Sequence, residues 1–304
     1  MIDKFVIFGH GKRVRENIIP ALKLLNEKVE YKTFTKNGRY LDGLAYRETN
    51  DLNAFHVDHK YKNYIISVPP SSAIDCLEKI ITLLNAKNIK IFIDTPVNKT
   101  IKKYIGVNNL CVLEDIKFLP WIDYFKNNRI EIGSIRLIHS GYEYHGIALT
   151  KALIGEKILS SKRIHKNNTE KTLIKFANNK FAEIINPRAY EYGSIQIETL
   201  NHGEFFLGNK KNIPSKKSKI LEDIYSLKTN DEIIRLLNIN KDLSIDLDNY
   251  VKSMEVMKIV GLSRLIKNFC LTNSSSTTIA DSFEEQGISN KNNISLRLKK
   301  IIKN

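Results

Sequence analysis

The chain has 304 residues, 42% of them apolar, and a formal charge of +15. That length and apolar content exclude a single very small domain and, at roughly 150 residues per domain, lead one to expect two. The longest apolar runs fall far short of a membrane span, MIDKF opens no signal peptide, and the lysines are scattered rather than interleaved with aromatics, so membrane and nucleic-acid partners are not expected.

In chain order, KFVIFG (4–9) predicts a buried strand, followed by a helix carrying Ile18, Ile19, Leu22 and Leu25 on one face. VEYKTFT (29–35) predicts a second strand and NYIISVPP (63–70) a third. IDCLEKIITLLNAK (74–87) has helical period, IKIFIDTPV (89–97) reads as the next strand, and NLCVLEDIKFLP (109–120) closes the series. Apolar strand-length runs alternating with helical segments predict a parallel sheet covered by helices.

From about residue 130 the pattern changes. IGSIRLIHS (132–140), KTLIKFANNKFAEIIN (171–186) and GSIQIETLNHGEFFLG (193–208) alternate, with turn-like breaks at Asn178-Asn179 and Asn201-His202-Gly203, which predicts antiparallel hairpins. YHGIALTKALIG (144–155) interrupts them as a helix. KKNIPSKKSK (210–219) is the one dense basic run and is expected to be a solvated loop. DLDNYVKSMEVMKIVGLSRLIKNF (246–269) predicts a helix with Leu247, Val251, Met254, Met257 or Lys258, and Leu265 near its buried stripe, and the polar tail after TNSSSTT is expected to be loosely attached. Cys76, Cys111 and Cys270 are odd in number and form no CxxC, so free thiols are expected rather than disulfides or a zinc site.

The expected fold is an α/β Rossmann domain over residues 1–120 and an α+β domain with an open, mainly antiparallel sheet over residues 121–304. Gly9 and Gly11 stand between a predicted strand and a predicted helix, where the first glycine permits the tight turn and the second lets the backbone approach a pyrophosphate. The third glycine of the pattern is Val14, which bears on helix–strand packing more than on phosphate binding. Lys12, Arg13 and Arg15 add three cations to the turn, which a phosphate would reconcile. The competing reading is a strand-to-helix turn with no ligand. At the end of the second strand Thr35, Lys36 and Arg39 stand with no carboxylate, which suits the 2′-phosphate of NADP; NAD stays open as the alternative. Glu114 and Asp115 follow a predicted parallel strand, where open α/β sheets bind ligands, and are substrate-site candidates unless they are solvated loop carboxylates.

Several segments in order resemble the Gfo/Idh/MocA oxidoreductases: FGHGKRVRENIIPAL, YIISVPPSSAIDCLEKII, IFIDTPVNKTIKKY and YHGIALTKALIG, with fitting spacing through residues 1–155. INPRAYEYGSIQIETLNHGEF (185–205) resembles part of that family's second-domain sheet. The resemblance implies a nicotinamide cofactor on the first domain and a small polar substrate, a sugar derivative or an imine, closed over by the second. It also implies a homodimer or homotetramer formed through the outer sheet faces; a cytoplasmic location is expected instead from the short apolar runs and the opening MIDKF. Pro69, Pro70 and Ser71 would border the nicotinamide half of the cofactor.

The family's EKP tripeptide, whose lysine moves the substrate proton, is replaced here by Asp94-Thr95-Pro96, and Gly141 stands in place of its aspartate. His145 matches the family histidine, and Gly155 ten residues on keeps the register. Thr95 can only hydrogen-bond at neutral pH, so the lysine's general acid–base contribution, roughly 10²–10⁴-fold, is not supplied from there. His145 at a helix start is expected to stay neutral and donate a hydrogen bond, with Tyr142 or Tyr144 giving the proton; alternation places both tyrosines on one face of an extended approach. The alternative is a catalytically degenerate nucleotide-binding protein of the same fold with a regulatory or binding role.

Overall fold

KFVIF forms β1 (Lys4–Phe8), and its last four residues are all buried, as a strand covered on both faces requires. The computed structural model describes residues 4–34, 61–84, 89–140, 143–166, 169–187, 193–208, 219–220, 250–272 and 278–287. The chain divides into two compact units: Met1–Asp115 with Leu262–Phe283, and Ile116–Gly261 with Glu284–Asn304.

The first unit is an α/β Rossmann unit. β1, β2 (Glu30–Phe34), β3 (Asn63–Ile66), β4 (Lys90–Asp94) and β5 (Leu110–Leu113) are all parallel, in the order β2-β1-β3-β4-β5. The order reverses between β1 and β3, the topological switch point at which such sheets bind ligands beyond the carboxyl ends of their strands. Residues 12–25 form one continuous helix whose turn Val14–Ile18 is π-wound before it runs into α1 (Ile19–Leu25). Pro20 accounts for that turn: it has no N–H for residue 16 and its ring crowds that carbonyl, so the ladder widens and the N–H of Ile19 reaches the carbonyl of Val14. The wider turn rotates the buried set to Val14, Ile18, Ala21, Leu22 and Leu24, leaving Ile19 and Leu25 only half-buried. α2 (Pro70–Leu84) starts at a proline, preset for a first helical turn, four positions before its first periodic apolar residue. Its Leu77 and Ile80 pack with Tyr64, Ile66, Ile91 and Val112 in the core. The end of α5 (Tyr250–Thr272) also belongs here, with Phe269 edge-on to Phe92 at 5.1 Å.

The second unit is built on a seven-stranded mixed sheet, β12-β11-β10-β6-β9-β8-β7. Its strands are β6 (Ile132–Ile138), β7 (Ile158–Lys166), β8 (Thr169–Phe176), β9 (Phe181–Asn186), β10 (Ser194–Thr199), β11 (Glu204–Gly208) and β12 (Lys219–Ile220). β6–β9 and β11–β12 are parallel pairs and the others antiparallel. The predicted hairpins are present. Asn178 and Asn179 both have φ of 56°, the left-handed pair that a primed turn between β8 and β9 requires. Gly203, at φ 77°, closes the β10–β11 connection, where the Thr199 N–H donates to its carbonyl at 3.1 Å. α3 (Pro120–Asn127) and α4 (Glu143–Ile154) pack with this sheet: Phe125 meets Phe205 at 4.9 Å, and Gly146 lies against Ile184 and Leu137 so closely that a side chain there would have to displace them.

The tail departs from expectation. Residues 279–287 form α6, in which Ile279, Ser282 and Glu285 are buried. Ile279 joins the apolar core of the first unit, and Glu285 pairs with Lys117 and Lys151 in the second. All three cysteines are free; burial pushes the Cys270 thiol up to about 12. Among the described residues no helix is long and apolar enough to cross a membrane. The basic run 210–219 lies outside the described residues except for Lys219.

Candidate functional site

Backbone sterics set the turn after β1. Gly9 has φ of 109°, and a Cβ there would collide with the Ser67 carbonyl at the end of β3, while the Ser67 N–H donates to the Phe8 carbonyl at 2.8 Å. Only glycine tolerates both that φ and that approach. Gly11 differs: among the described residues a Cβ there would meet no atom within 4 Å. It faces open space at the head of helix 12–25, whose first N–H groups have no intrahelical acceptor and whose dipole favours an anion. Val14, in place of the third glycine, is fully buried without breaking the helix.

The three cations of this turn are already engaged. Arg13 reaches across to two carboxylates, its Nη1 lying 2.8 Å from Asp115 and its Nε 3.5 Å from Asp94. Burial opposes its charge, but Asp115 and Asp94, with Glu114 behind them, outweigh that and raise its pKa. Lys12 leans on Glu16 at 3.5 Å, an exposed pair of small energetic weight, and Arg15 Nη1 donates to the His10 carbonyl at 2.9 Å. The cations therefore need no phosphate to reconcile them, and the charge argument made from sequence is replaced by one from shape. Asp94 also accepts from the Ser67 hydroxyl at 2.7 Å and from the Thr95 N–H at 3.1 Å. Arg13, Ser67, Asp94, Glu114 and Asp115 thus converge at the carboxyl ends of β1, β3, β4 and β5. Glu114 and Asp115 are 1% and 2% exposed, so they are not solvated loop carboxylates.

Pro69, Pro70 and Ser71 are exposed at the start of α2, with the Pro70 carbonyl accepting from Asn98 Nδ2 at 3.1 Å. Thr95 is half-buried, and the Thr95–Pro96 peptide is cis. Thr35, Lys36 and Arg39 lie outside the described residues, as do Gly141 and Tyr142.

In the second unit Tyr144 and His145 occupy the first turn of α4, their ring centroids 4.2 Å apart and the planes tilted by 40°. Tyr144 is helical, so the alternation expected of an extended approach does not apply to it: in a helix neighbours two apart do not share a face. Gly155, φ 71°, ends the helix and donates its N–H to the Lys151 carbonyl at 3.0 Å. Lys151, in the last turn of this helix, lies 2.6 Å from Glu284 and 3.7 Å from Glu285, and Lys117 lies 2.5 Å from the same Glu285.

Sequence reasoning passed over three residues. Ser67 precedes the Val-Pro-Pro run and is tied to both Gly9 and Asp94. His10 sits between the two glycines with both ring nitrogens shut off from solvent and without a hydrogen-bond partner among the described residues. His139 ends β6 at φ 51°, its Nδ1 placed 2.5 Å from the Pro187 carbonyl. Its neighbour in space, Pro187, is 48 positions away, so nothing local could signal it.

A dinucleotide fits the residues present: an uncrowded Gly11 at a helix head, next in sequence to an imidazole whose nitrogens have no partner among the described residues. No family model and no curated protein matches the chain. Among solved structures it is similar to a dehydrogenase (MviM) from Clostridium difficile, at 16% identity and TM-score 0.60, covering 100% of this chain and 99% of that one. It is also similar to scyllo-inositol dehydrogenase from Lactobacillus casei, solved with NAD(H) and scyllo-inositol bound, at 15% identity and TM-score 0.53 over 86% of this chain and 96% of that one. UDP-N-acetylglucosamine 3-dehydrogenase GnnA from Acidithiobacillus ferrooxidans matches at 12% identity and TM-score 0.53, again over 86% and 96%. These neighbours are dehydrogenases of the Gfo/Idh/MocA type, and the chain has their fold.

Proposed function

We propose that the chain is a cytoplasmic NAD(P)-dependent oxidoreductase that transfers hydride to or from a small polar substrate, a sugar derivative or an imine, and that NADP is its cofactor in preference to NAD. The observation carrying this reading is the turn from Gly9 to Gly11 at the β1/β3 switch point, shaped at Gly9 by Ser67 and left uncrowded at Gly11. The dehydrogenase folds around it support the same class, and one of them was solved with NAD(H). Residues 1–120 would carry the cofactor and residues 121–304 the substrate.

Gly9, Gly11 and the head of helix 12–25 would hold the diphosphate; Thr35, Lys36 and Arg39 would meet the 2′-phosphate, and Pro69, Pro70 and Ser71 the nicotinamide half. The cofactor supplies hydride chemistry; the protein orients the partners. Asp94 and Arg13 fix the Thr95-Pro96 corner from behind, and Thr95 offers a hydrogen bond rather than a proton. His145 would donate a hydrogen bond to the reacting group, and Tyr142 or Tyr144 would move the proton. Glu114 and Asp115, buried at the end of β5, would face the substrate's polar groups. An imine suits the absence of a lysine at position 95, because it can be protonated before hydride arrives.

Purified protein titrated with NADPH and NADH, then mixed with a panel of sugars, polyols and cyclic imines, tests this. The expected result is nucleotide binding and turnover of at least one panel member that His145→Ala lowers by 10²-fold or more. Absence of binding to both nucleotides refutes the reading.

A further inference from the structure

We propose that His10 is a cofactor-contacting residue whose imidazole hydrogen-bonds the dinucleotide and links its binding to proton uptake. This rests on the oxidoreductase reading above. Most polar groups on the turn already hold a partner. Arg13 is taken by Asp94 and Asp115, Lys12 is paired with Glu16, and Arg15 is bonded to the His10 carbonyl. His10 is half-buried, both of its ring nitrogens are closed to solvent, and neither has a hydrogen-bond partner among the described residues. A neutral imidazole carries one donor and one acceptor, and a buried polar atom without a partner is costly to keep. A protein that only needed a tight turn would gain by placing an apolar side chain there. A diphosphate at the head of helix 12–25 supplies acceptors beside this ring, and an imidazolium could donate from both nitrogens.

The electrostatics give the sign. Burial, and then the Arg15 guanidinium, lower the His10 pKa in the free protein, so the ring is neutral at pH 7. Arg15 is the charged group acting on the ring among the described residues, while Lys12 is paired with Glu16 and Arg13 with Asp94 and Asp115. A bound dianion stabilises the imidazolium, so the pKa rises on binding. Protons are then taken up between the free and bound values, and the contribution of His10 grows as pH falls through the bound value.

The test compares full-length wild type, His10→Ala and His10→Asn for binding of NADPH and NADH from pH 5.5 to 8.5, with melting temperatures of the unliganded proteins. The ratio of variant to wild-type dissociation constants cancels the ligand's own ionisation. The expected ratio is a few-fold at pH 8.5 and rises to about tenfold or more at pH 5.5, as a charge-assisted hydrogen bond replaces a neutral one, with unliganded melting temperatures unchanged. A ratio near one at every pH, or one independent of pH, overturns the proposal while leaving the cofactor reading intact. Should the variants not fold, calorimetry of the wild type in buffers of different ionisation enthalpy decides it, and binding without proton uptake overturns it. Wild type that binds neither nucleotide refutes the cofactor reading and this proposal together.

Discussion

At Gly9 an added Cβ would strike the Ser67 carbonyl, whereas at Gly11 it would enter open space. Gly9→Ala should therefore destabilise the protein by about 3 kcal/mol or more, since it adds a clash with backbone to a left-handed φ. Gly11→Ala should leave stability unchanged or raise it by up to about 1 kcal/mol, because it costs the unfolded chain entropy without straining the fold. Its effect should fall on NADPH affinity, lowered about tenfold where the methyl group meets the diphosphate. Denaturant titration and nucleotide binding on both variants check the pair; equal destabilisation would mean that Gly11 is a folding glycine. The two residues are indistinguishable in the motif, because spacing records that glycine is present and not which backbone lies opposite. The same blindness hid the Arg13 pairs, whose acids lie 81 and 102 positions ahead in the chain.

Among the elements, strands and hairpins were legible because their signals are local: the unbroken apolar runs of β1 and β4, and the adjacent asparagines that supply two positive φ values. α6 was not. Its sequence IADSFEEQG is mostly polar: beside Ile279 and Phe283 at the apolar core, Glu285 is 1% exposed and pairs with Lys117, 9% exposed on its side chain. Periodicity of apolar residues does not display the ionic part of that contact. Removing Glu285 should leave Lys117 as a buried, unpaired cation, so Glu285→Ala is expected to cost about 3–5 kcal/mol in chemical denaturation, far more than Glu284→Ala at its exposed neighbour. Comparable losses in the two variants would show that the helix is held by its apolar residues instead.

For the molecule as a whole, the order of motifs along residues 1–155 was enough to anticipate an α/β unit followed by an antiparallel-rich one, while the sequence past residue 210 carries no motif of that kind. The outer face of the second sheet follows from register rather than from any motif. Phe181 is opposite Lys175, Leu173 is two residues before Lys175, and Ile164 is opposite Lys171, so Phe181, Leu173 and Ile164 share one face, and all three are exposed, Phe181 by 49%. On the same face Glu183 holds Arg136 at 2.9 Å and also pairs with Lys171, so that one carboxylate partly offsets two cations. Large exposed apolar side chains sharing one sheet face are what a self-complementary interface presents. The homodimer or homotetramer expected from the resemblance would use this face. Light scattering should then report two or four chain masses for the wild type, and Phe181→Asp combined with Leu173→Asp should shift it to one, with circular dichroism unchanged because neither side chain is in the core. A wild type that runs as a single chain at tens of micromolar, or a double variant that keeps its assembly, would place the interface elsewhere.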